Sequence, residues 1–212
     1  MLIIKLGLFD DHDIVRAGFK HILAQHSDIT IEAEGATGRE ALAAVRRCEL
    51  DVCVVDLSMP DLSGIDVLKQ AKSIRPSMGV LVLSSYPEEQ YGLNVLKAGA
   101  SGFLSKGLAP DQFVAAVRTV AAGRRYVSPT LAEMLAAGLT DNIDQPPHVK
   151  LSEREFQIFS KLVVGRTVTD IANDLCLSAK TVSTYRSRLL EKMGFNSNAE
   201  LAHYAVKHDL IP

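Results

Sequence analysis

The chain has 212 residues, of which 47% are hydrophobic and 23% are charged, and its formal net charge is −2. This is the composition of an ordinary globular protein, and the charge argues against a general nucleic-acid binder. The three cysteines form neither a Cys-x-x-Cys pair nor a metal-ligand pattern, which argues against a disulfide framework or a zinc site. No apolar run approaches the ~20 residues of a membrane span and the N-terminus lacks a basic signal-peptide region, so we expect a cytoplasmic protein with no membrane partner.

Residues 3–122 alternate between strand-like and helical patterns. The strand patterns lie at 3–9, 29–36, 52–55, 80–83 and 102–105, and a helical pattern follows each one. We predict that the first helix begins after Asp13 as its N-cap, and that its inward face carries Ile14, Val15, Gly18, Phe19, Ile22 and Leu23. The second helix begins after Thr37, with Glu40 completing a capping box. Five strand–helix units in succession predict an α/β fold with a doubly wound, five-stranded parallel sheet and right-handed crossovers.

The pattern changes after residue 125. We divide the chain into a first domain at 1–125, a linker at 126–150 and a second domain at 151–212. The linker holds a short predicted helix, 129–137, and a polar segment with a Pro-Pro pair. No strand pattern follows it, and capping residues predict helices at 152–164, 167–175, 178–193 and 198–208. The second domain is therefore predicted to be all-α.

The stretch 52–60 brings a carboxylate, Asp56, to the carboxyl end of a buried strand. Ligands collect at this edge of a parallel sheet, and we expect Asp10, Asp11, Ser84 and Lys106 at the same edge. Three carboxylates in one place are costly unless a cation neutralises them or one of them stays protonated, and an oxygen-liganded ion such as Mg²⁺ fits best. A carboxylate can accept a phosphoryl group, whose oxygens an ammonium and a hydroxyl can hold. Each residue alone has a plainer explanation as a cap, turn or surface residue, and their joint position favours a site.

Residues 3–122 resemble the receiver domain of two-component response regulators, through Asp10-Asp11, the turn Asp56-Leu57-Ser58-Met59-Pro60, Ser84 and Lys106. The resemblance implies that Asp56 accepts a phosphoryl group from a sensor histidine kinase. It implies a Mg²⁺ site formed by Asp10, Asp11, Asp56 and the main-chain carbonyl of Ser58. It also implies that Ser84 and Phe103 are switch residues and that Lys106 binds the phosphoryl group. We interpret His12 as a packing or surface residue, because no second histidine lies near it.

The helix predicted at 178–193 has two different faces. One carries the apolar Val182, Tyr185, Leu189 and Met193, and should pack inward. The other presents small hydroxyls and cations, which suit a DNA major groove, although a bundle helix with a solvated basic face has the same pattern. The preceding helix and turn complete a helix-turn-helix pair, which favours DNA binding.

Residues 151–208 resemble the LuxR/NarL-type DNA-binding domain, through Leu151-Ser152-Glu153-Arg154-Glu155, Lys180-Thr181-Val182 and Lys192-Met193-Gly194 among other positions. Within that family the chain looks similar to the GacA/UvrY and BvgA branch. The match implies that bases are contacted by Ser183, Thr184 and Ser187. It implies that DNA phosphates are contacted by Lys180, Thr181, Arg186, Arg188 and Lys192. It further implies a homodimer formed through the last helix, at Ala199, Ala202, Ala205 and Val206.

Together these features predict a transcription factor controlled by phosphorylation. Phosphoryl-Asp56 is expected either to favour a two-fold dimer or to release a recognition helix held against the receiver, so that double-stranded promoter DNA is bound at two half-sites. RNA polymerase is a further partner that this function allows. One alternative is a phosphorylation-independent DNA-binding regulator whose receiver only dimerises. Another is a Mg²⁺ phosphatase, which is disfavoured because Ser58 stands where an acid/base carboxylate would be needed. We expect no turnover beyond the receiver's own phosphorylation and slow dephosphorylation.

Overall fold

The computed structural model describes residues 3–140, 146–175, 177–208 and 210. It divides into two compact units, Met1–Thr140 and Asp141–Pro212. In the part of the chain that the structure describes, no helix is long and apolar enough to cross a membrane.

The first unit is built on a five-stranded parallel sheet, as the sequence predicts, and the strand order in this sheet is β2-β1-β3-β4-β5. The strands are β1 Ile4–Phe9, β2 Ile29–Gly35, β3 Val52–Asp56, β4 Gly79–Ser84 and β5 Gly102–Ser105. Every residue of β3 and β4 is buried, which is why these segments are continuous apolar runs instead of alternating patterns. The reversal of strand order between β1 and β3 opens a crevice at the carboxyl ends of these two strands.

Helices cover both faces of this sheet. Their bounds are α1 Asp13–Leu23, α2 Gly38–Arg47, α3 Gly64–Ile74, α4 Glu88–Lys97, α5 Pro110–Ala121 and α6 Pro129–Thr140. The predicted capping box opens α2, where the Thr37 side chain accepts from the Glu40 backbone N–H and the Glu40 carboxylate accepts from the Thr37 backbone N–H. Local sequence therefore fixes the start of this helix.

Two predictions for α1 were wrong. Asp13 is the first residue of the helix and His12 occupies the cap position, without a side-chain capping bond. The helix buries Phe19 against Phe113, with ring centroids 4.2 Å apart, whereas Ile14 is 83% exposed and Gly18 is also exposed. At about 100° per residue, Ile14 lies about 140° around the helix from Phe19, so both cannot face the sheet.

Helix α6 packs on the first unit, whereas the sequence places it in the linker. Leu131 is fully buried, and a Cβ on Gly92 of α4 would lie 2.7 Å from its Cδ1. The Ser128 hydroxyl donates to Glu88 Oε2 of α4 at 2.6 Å and accepts from the Leu131 N–H at 3.0 Å. The helix also continues to Thr140, beyond its predicted end at residue 137. The remaining linker residues 141–145 lie outside the described residues.

The second unit is helical, as predicted. A short 3-10 helix, Pro147–Lys150, precedes α7 Glu153–Val163, α8 Val168–Asp174, α9 Ala179–Met193 and α10 Asn198–Lys207. Capping boxes at Ser152 and Thr167 and the left-handed Gly194 (φ 71°) set the helix ends, in agreement with the sequence pattern. Val182 and Leu189 of α9 are fully buried, so the apolar face of α9 forms part of the core.

Candidate functional site

Asp56 ends β3 and is almost completely buried. The chain turns back directly behind it, since the Gly64 N–H donates to the Leu57 carbonyl at 2.8 Å and Ser58 forms an isolated bridge with Ser63. A Cβ on Gly64 would lie 2.4 Å from the Asp56 carbonyl oxygen, too close for any other residue without movement of the backbone. Gly64 therefore positions Asp56, a role that the sequence analysis missed because a glycine at the start of a helix is usually read only as part of a turn.

A second residue missed from the sequence, Asp61, ties the same turn to α2. Its carboxylate accepts from the N–H groups of Gly38 (2.8 Å), Arg39 (3.0 Å) and Leu62 (2.8 Å). Burial acts to raise the pKa of Asp61, but these hydrogen bonds outweigh it and hold the pKa below its ordinary value. The Asp61 carboxylate thus holds the turn after Asp56 both within the turn itself and to the start of α2.

Lys106 follows β5 and joins the carboxylates at the ends of β1 and β3. Its ammonium lies 2.8 Å from Asp10 Oδ2 and 3.0 Å from Asp56 Oδ2, and Asp10 is fully buried. Its backbone N–H donates to the Ser84 carbonyl at 2.8 Å, which links it to the end of β4. The structure therefore brings together four elements of the predicted site.

The electrostatics of this pocket favour an added cation. Burial raises the pKa of Asp56 to about 6, with Lys106 acting in the opposite direction and Asp10 adding to the rise. Burial lowers the pKa of Lys106, but its contacts with Asp10 and Asp56 outweigh that and hold the pKa above its ordinary value. Asp10, Asp11 and Asp56 carry three negative charges against the single positive charge of Lys106, so a divalent cation would neutralise the remainder.

The donor set fits such an ion. Asp10, Asp11, His12 and Asp56 each offer one ligand atom, and these atoms lie within 4.8 Å of one another. Apart from Lys106, no donor in the described part of the chain reaches Asp10 Oδ2 or Asp56 Oδ2, although both oxygens are buried. Buried carboxylate oxygens with spare acceptor capacity are the ligands that hard divalent cations take.

His12 borders the pocket, and its side chain is 58% exposed, in agreement with its interpretation as a surface residue. Its Nδ1 lies 2.8 Å from Asp11 Oδ1, 3.2 Å from Asp10 Oδ1 and 3.3 Å from Lys106 Nζ. Its backbone N–H donates to Asp10 Oδ1 at 2.8 Å. Proximity to the acidic pair in the sequence was the available signal for this position.

The two predicted switch residues lie beside the pocket on β4 and β5. Ser84 is buried, and its hydroxyl accepts from the Tyr86 N–H at 2.9 Å. Phe103 is buried within β5 and is paired across the sheet with Val82. Ser84 therefore lies in the strand next to that of Asp56 and Phe103 in the strand beyond it, with the Ser84 hydroxyl engaged by the following loop.

The candidate DNA-binding face lies on α9. Five exposed members of the predicted contact set make no ion pair within the described part of the domain: Lys180, Ser183, Thr184, Ser187 and Arg188. The Thr184 hydroxyl donates to the Lys180 carbonyl at 3.0 Å and the Ser187 hydroxyl to the Ser183 carbonyl at 3.1 Å, which leaves each hydroxyl oxygen able to accept a further bond. This side of α9 is polar, basic and accessible, as major-groove binding requires.

Three other members of the contact set are engaged within the domain. Lys192 Nζ lies 2.6 Å from Oε2 of Glu155, whose side chain is 4% exposed. Arg186 Nε donates to Asn198 Oδ1 of α10 at 2.8 Å, and the half-buried Thr181 contacts the capping hydroxyl of Ser178 at 2.7 Å. The geometry assigns a structural role to the Lys192 ammonium, which holds α9 to the start of α7.

The predicted dimer residues on α10 differ in exposure. Val206 is 64% exposed and Ala199 is exposed, while Ala202 is half-buried. Ala205 is fully buried inside the second unit, because it lies on the core side of α10 four residues after Leu201. It offers no surface to a partner and is removed from the predicted set; the other three stay predictions.

Two family models match this chain. The response regulator receiver domain matches residues 7–118, and the luxR family of bacterial regulatory proteins matches residues 149–205. The transcriptional regulatory protein UhpA of Salmonella typhimurium is 44% identical over 94% of this chain and 96% of its own length. The response regulator GacA of Pseudomonas syringae is 36% identical over 98% of each chain.

A solved structure matches across both units. RcsB from Salmonella enterica, bound to the promoter rprA in the presence of phosphomimetic BeF3−, is 26% identical to this chain. The match has a TM-score of 0.68 and covers 95% of this chain and 98% of that one. The predicted likeness to GacA is confirmed, and the identity to UhpA is higher still.

Proposed function

The chain belongs to the response regulators that join a receiver domain to a luxR-type DNA-binding domain, so it is a transcriptional regulator; we propose that Asp56 is its phosphoacceptor and that phosphorylation controls promoter binding. This proposal is carried by one observation: at the end of the central strand, the Lys106 ammonium lies 2.8 Å from Asp10 Oδ2 and 3.0 Å from Asp56 Oδ2. The phosphoryl donor is a sensor histidine kinase, and the site of action is the cytoplasm, where promoter DNA lies.

The transfer step follows from the pocket. A carboxylate oxygen of Asp56 attacks the phosphorus of a phosphohistidine, the P–N bond breaks, and the departing imidazole keeps the electron pair and takes up a proton. Asp10, Asp11, Asp56 and the Ser58 carbonyl would hold Mg²⁺, which would neutralise the charge of the phosphoryl oxygens. Lys106 neutralises a further oxygen, and Gly64 keeps the acceptor oxygen in place by fixing the backbone behind it. The only turnover we propose is this self-phosphorylation and the slow hydrolysis of the product.

The output of the switch follows from the change of charge. A phosphoryl group on Asp56 brings new acceptor oxygens, to which the Ser84 hydroxyl, whose oxygen accepts from the Tyr86 N–H, would turn its own O–H to donate. We propose that this rearrangement favours a homodimer that binds two half-sites through the exposed face of α9. The solved RcsB–promoter complex supports DNA as the target, and RNA polymerase is the partner that a bound regulator would contact.

The first test is the intact mass after incubation with Mg²⁺ and a small-molecule phosphodonor. The wild type should gain one phosphoryl group, Asp56→Asn should gain none, and Asp111→Asn, which changes an exposed carboxylate at the start of α5, should behave as the wild type. The phosphorylated wild type should then bind promoter DNA more tightly. Phosphorylation of Asp56→Asn would refute the acceptor, and unchanged DNA binding after phosphorylation would favour the phosphorylation-independent regulator.

A further inference from the structure

The position of His12 has a consequence for the metal chemistry of the pocket, and it rests on the proposed cation site. Adjacent ligands of an octahedral ion with bonds of about 2.1 Å lie about 3.0 Å apart. His12 Nδ1 is 2.8 Å from Asp11 Oδ1 and 3.2 Å from Asp10 Oδ1, which brackets that spacing. The set of four ligand atoms spans 4.8 Å, slightly more than the about 4.2 Å between opposite ligands. The spacing of the four atoms is therefore close to that of the ligands of one octahedral ion.

The charges of the pocket also leave room for a neutral ligand. Asp10, Asp11 and Asp56 oppose Lys106, so a divalent ion brings the total to zero. A further carboxylate would make the site anionic again, whereas an imidazole adds a donor atom without adding charge. Arg16 lies close by but donates to the Asp10 carbonyl oxygen and pairs with Asp13, so it does not compete for the carboxylates of the pocket.

Imidazole nitrogen distinguishes between cations. Mg²⁺ prefers oxygen ligands, whereas first-row transition cations bind imidazole well. We propose that His12 is a further ligand of this pocket. It makes the receiver prefer first-row transition cations to Mg²⁺ more strongly than its three carboxylates alone would. The chemical class of the preferred ion is a borderline divalent cation, bound by three carboxylates and one Nδ1.

The test compares two cations in the full-length protein. Titration calorimetry gives the dissociation constants for Co²⁺ and Mg²⁺, and the visible absorption bands of bound Co²⁺ report directly on a nitrogen ligand. His12→Ala should weaken Co²⁺ binding at least tenfold and shift its absorption bands, while Mg²⁺ binding changes less than twofold. The variant should fold, because the His12 side chain is 58% exposed and forms no helix-capping bond.

Two variants serve as controls. His21→Ala removes an exposed histidine from the same helix and should leave both constants unchanged. Asp11→Asn should weaken both cations, which shows that both occupy the acidic pocket. The proposal is overturned if His12→Ala changes Co²⁺ and Mg²⁺ binding equally or not at all, or if it strengthens Mg²⁺ binding, since His12 would then be a competitor of the cation. Failure of the wild type to bind Mg²⁺ would instead contradict the proposed cation site itself.

Discussion

The ion pair between Lys192 and Glu155 allows a direct test of what α9 uses its cations for. Glu155 is 4% exposed and Lys192 is 44% exposed, and the Glu155 carboxylate also accepts from the Ser152 N–H at 2.8 Å. Breaking a fully buried pair costs about 3–5 kcal/mol, whereas a surface pair contributes about 0–1 kcal/mol. With one partner buried and the other half in solvent, Lys192→Met should lower the free energy of unfolding of the DNA-binding domain by about 2 kcal/mol.

Calorimetry of the full-length protein should show this loss as a fall of about 10 °C in the transition of the second unit, since about 1 kcal/mol shifts a domain of 60–100 residues by about 4–8 °C. Burial acts to raise the pKa of Glu155, but the Lys192 and Ser152 contacts outweigh it and hold the pKa below its ordinary value of 4.5. The stabilisation is therefore complete above that value and is lost as pH falls through the folded-state pKa, so the cost of Lys192→Met should shrink below about pH 4.

Lys180→Met is the matched control because it removes an exposed lysine from the same helix. It should leave the thermal transition within about 2 °C and reduce the slope of log K against log salt by about 1, as expected for a lost phosphate contact. An unchanged transition in Lys192→Met, together with a reduced salt slope, would refute the structural role and restore Lys192 as a DNA phosphate contact.

Two further predictions concern the turn that holds Asp56. Gly64→Ala should destabilise the receiver by about 1–3 kcal/mol through overpacking and should lower the rate of phosphorylation. The control, Gly18→Ala, lies at an exposed helix position with nothing within 4 Å of the added Cβ, and it should stabilise the receiver by about 0.5–1 kcal/mol. Equal effects of the two substitutions in denaturant unfolding would contradict the steric argument. Asp61→Ala should lower the free energy of unfolding by about 2–3 kcal/mol, because it leaves the Gly38 N–H without its acceptor. Because the pKa of Asp61 is lowered in the folded protein, this loss should hold above about pH 4 and decline below it. Unfolding curves at several pH values would check this dependence.

The sheet and the position of Asp56 at its edge were predictable because they depend on local patterns. Buried strands are continuous apolar runs, helix ends have capping residues, and parallel strands bring their carboxyl ends to one edge. The orientation of Ile14 was not predictable in the same way, since the seven apolar or small residues in α1 are compatible with more than one inward face until Phe113 is known to lie opposite. The Lys192 ion pair was hidden for a related reason, because it joins residues 37 apart that share no sequence pattern.

The structure also restricts how a signal at Asp56 can act on DNA binding. Helix α9 is capped by Ser178 at its start and by Gly194 at its end, and its side chains are tied to α10 through Arg186 and to α7 through Lys192. Because α9 is held at so many points, we expect it to present the same face whether or not the receiver is phosphorylated. Around Asp56, by contrast, Lys106 contacts both carboxylates and the end of β4, so a new charge there alters several strand ends together. We therefore expect the proposed phosphorylation to act on the access or the pairing of the DNA-binding domain. A mutation that stiffens α9 should then change affinity for DNA without changing its dependence on phosphorylation.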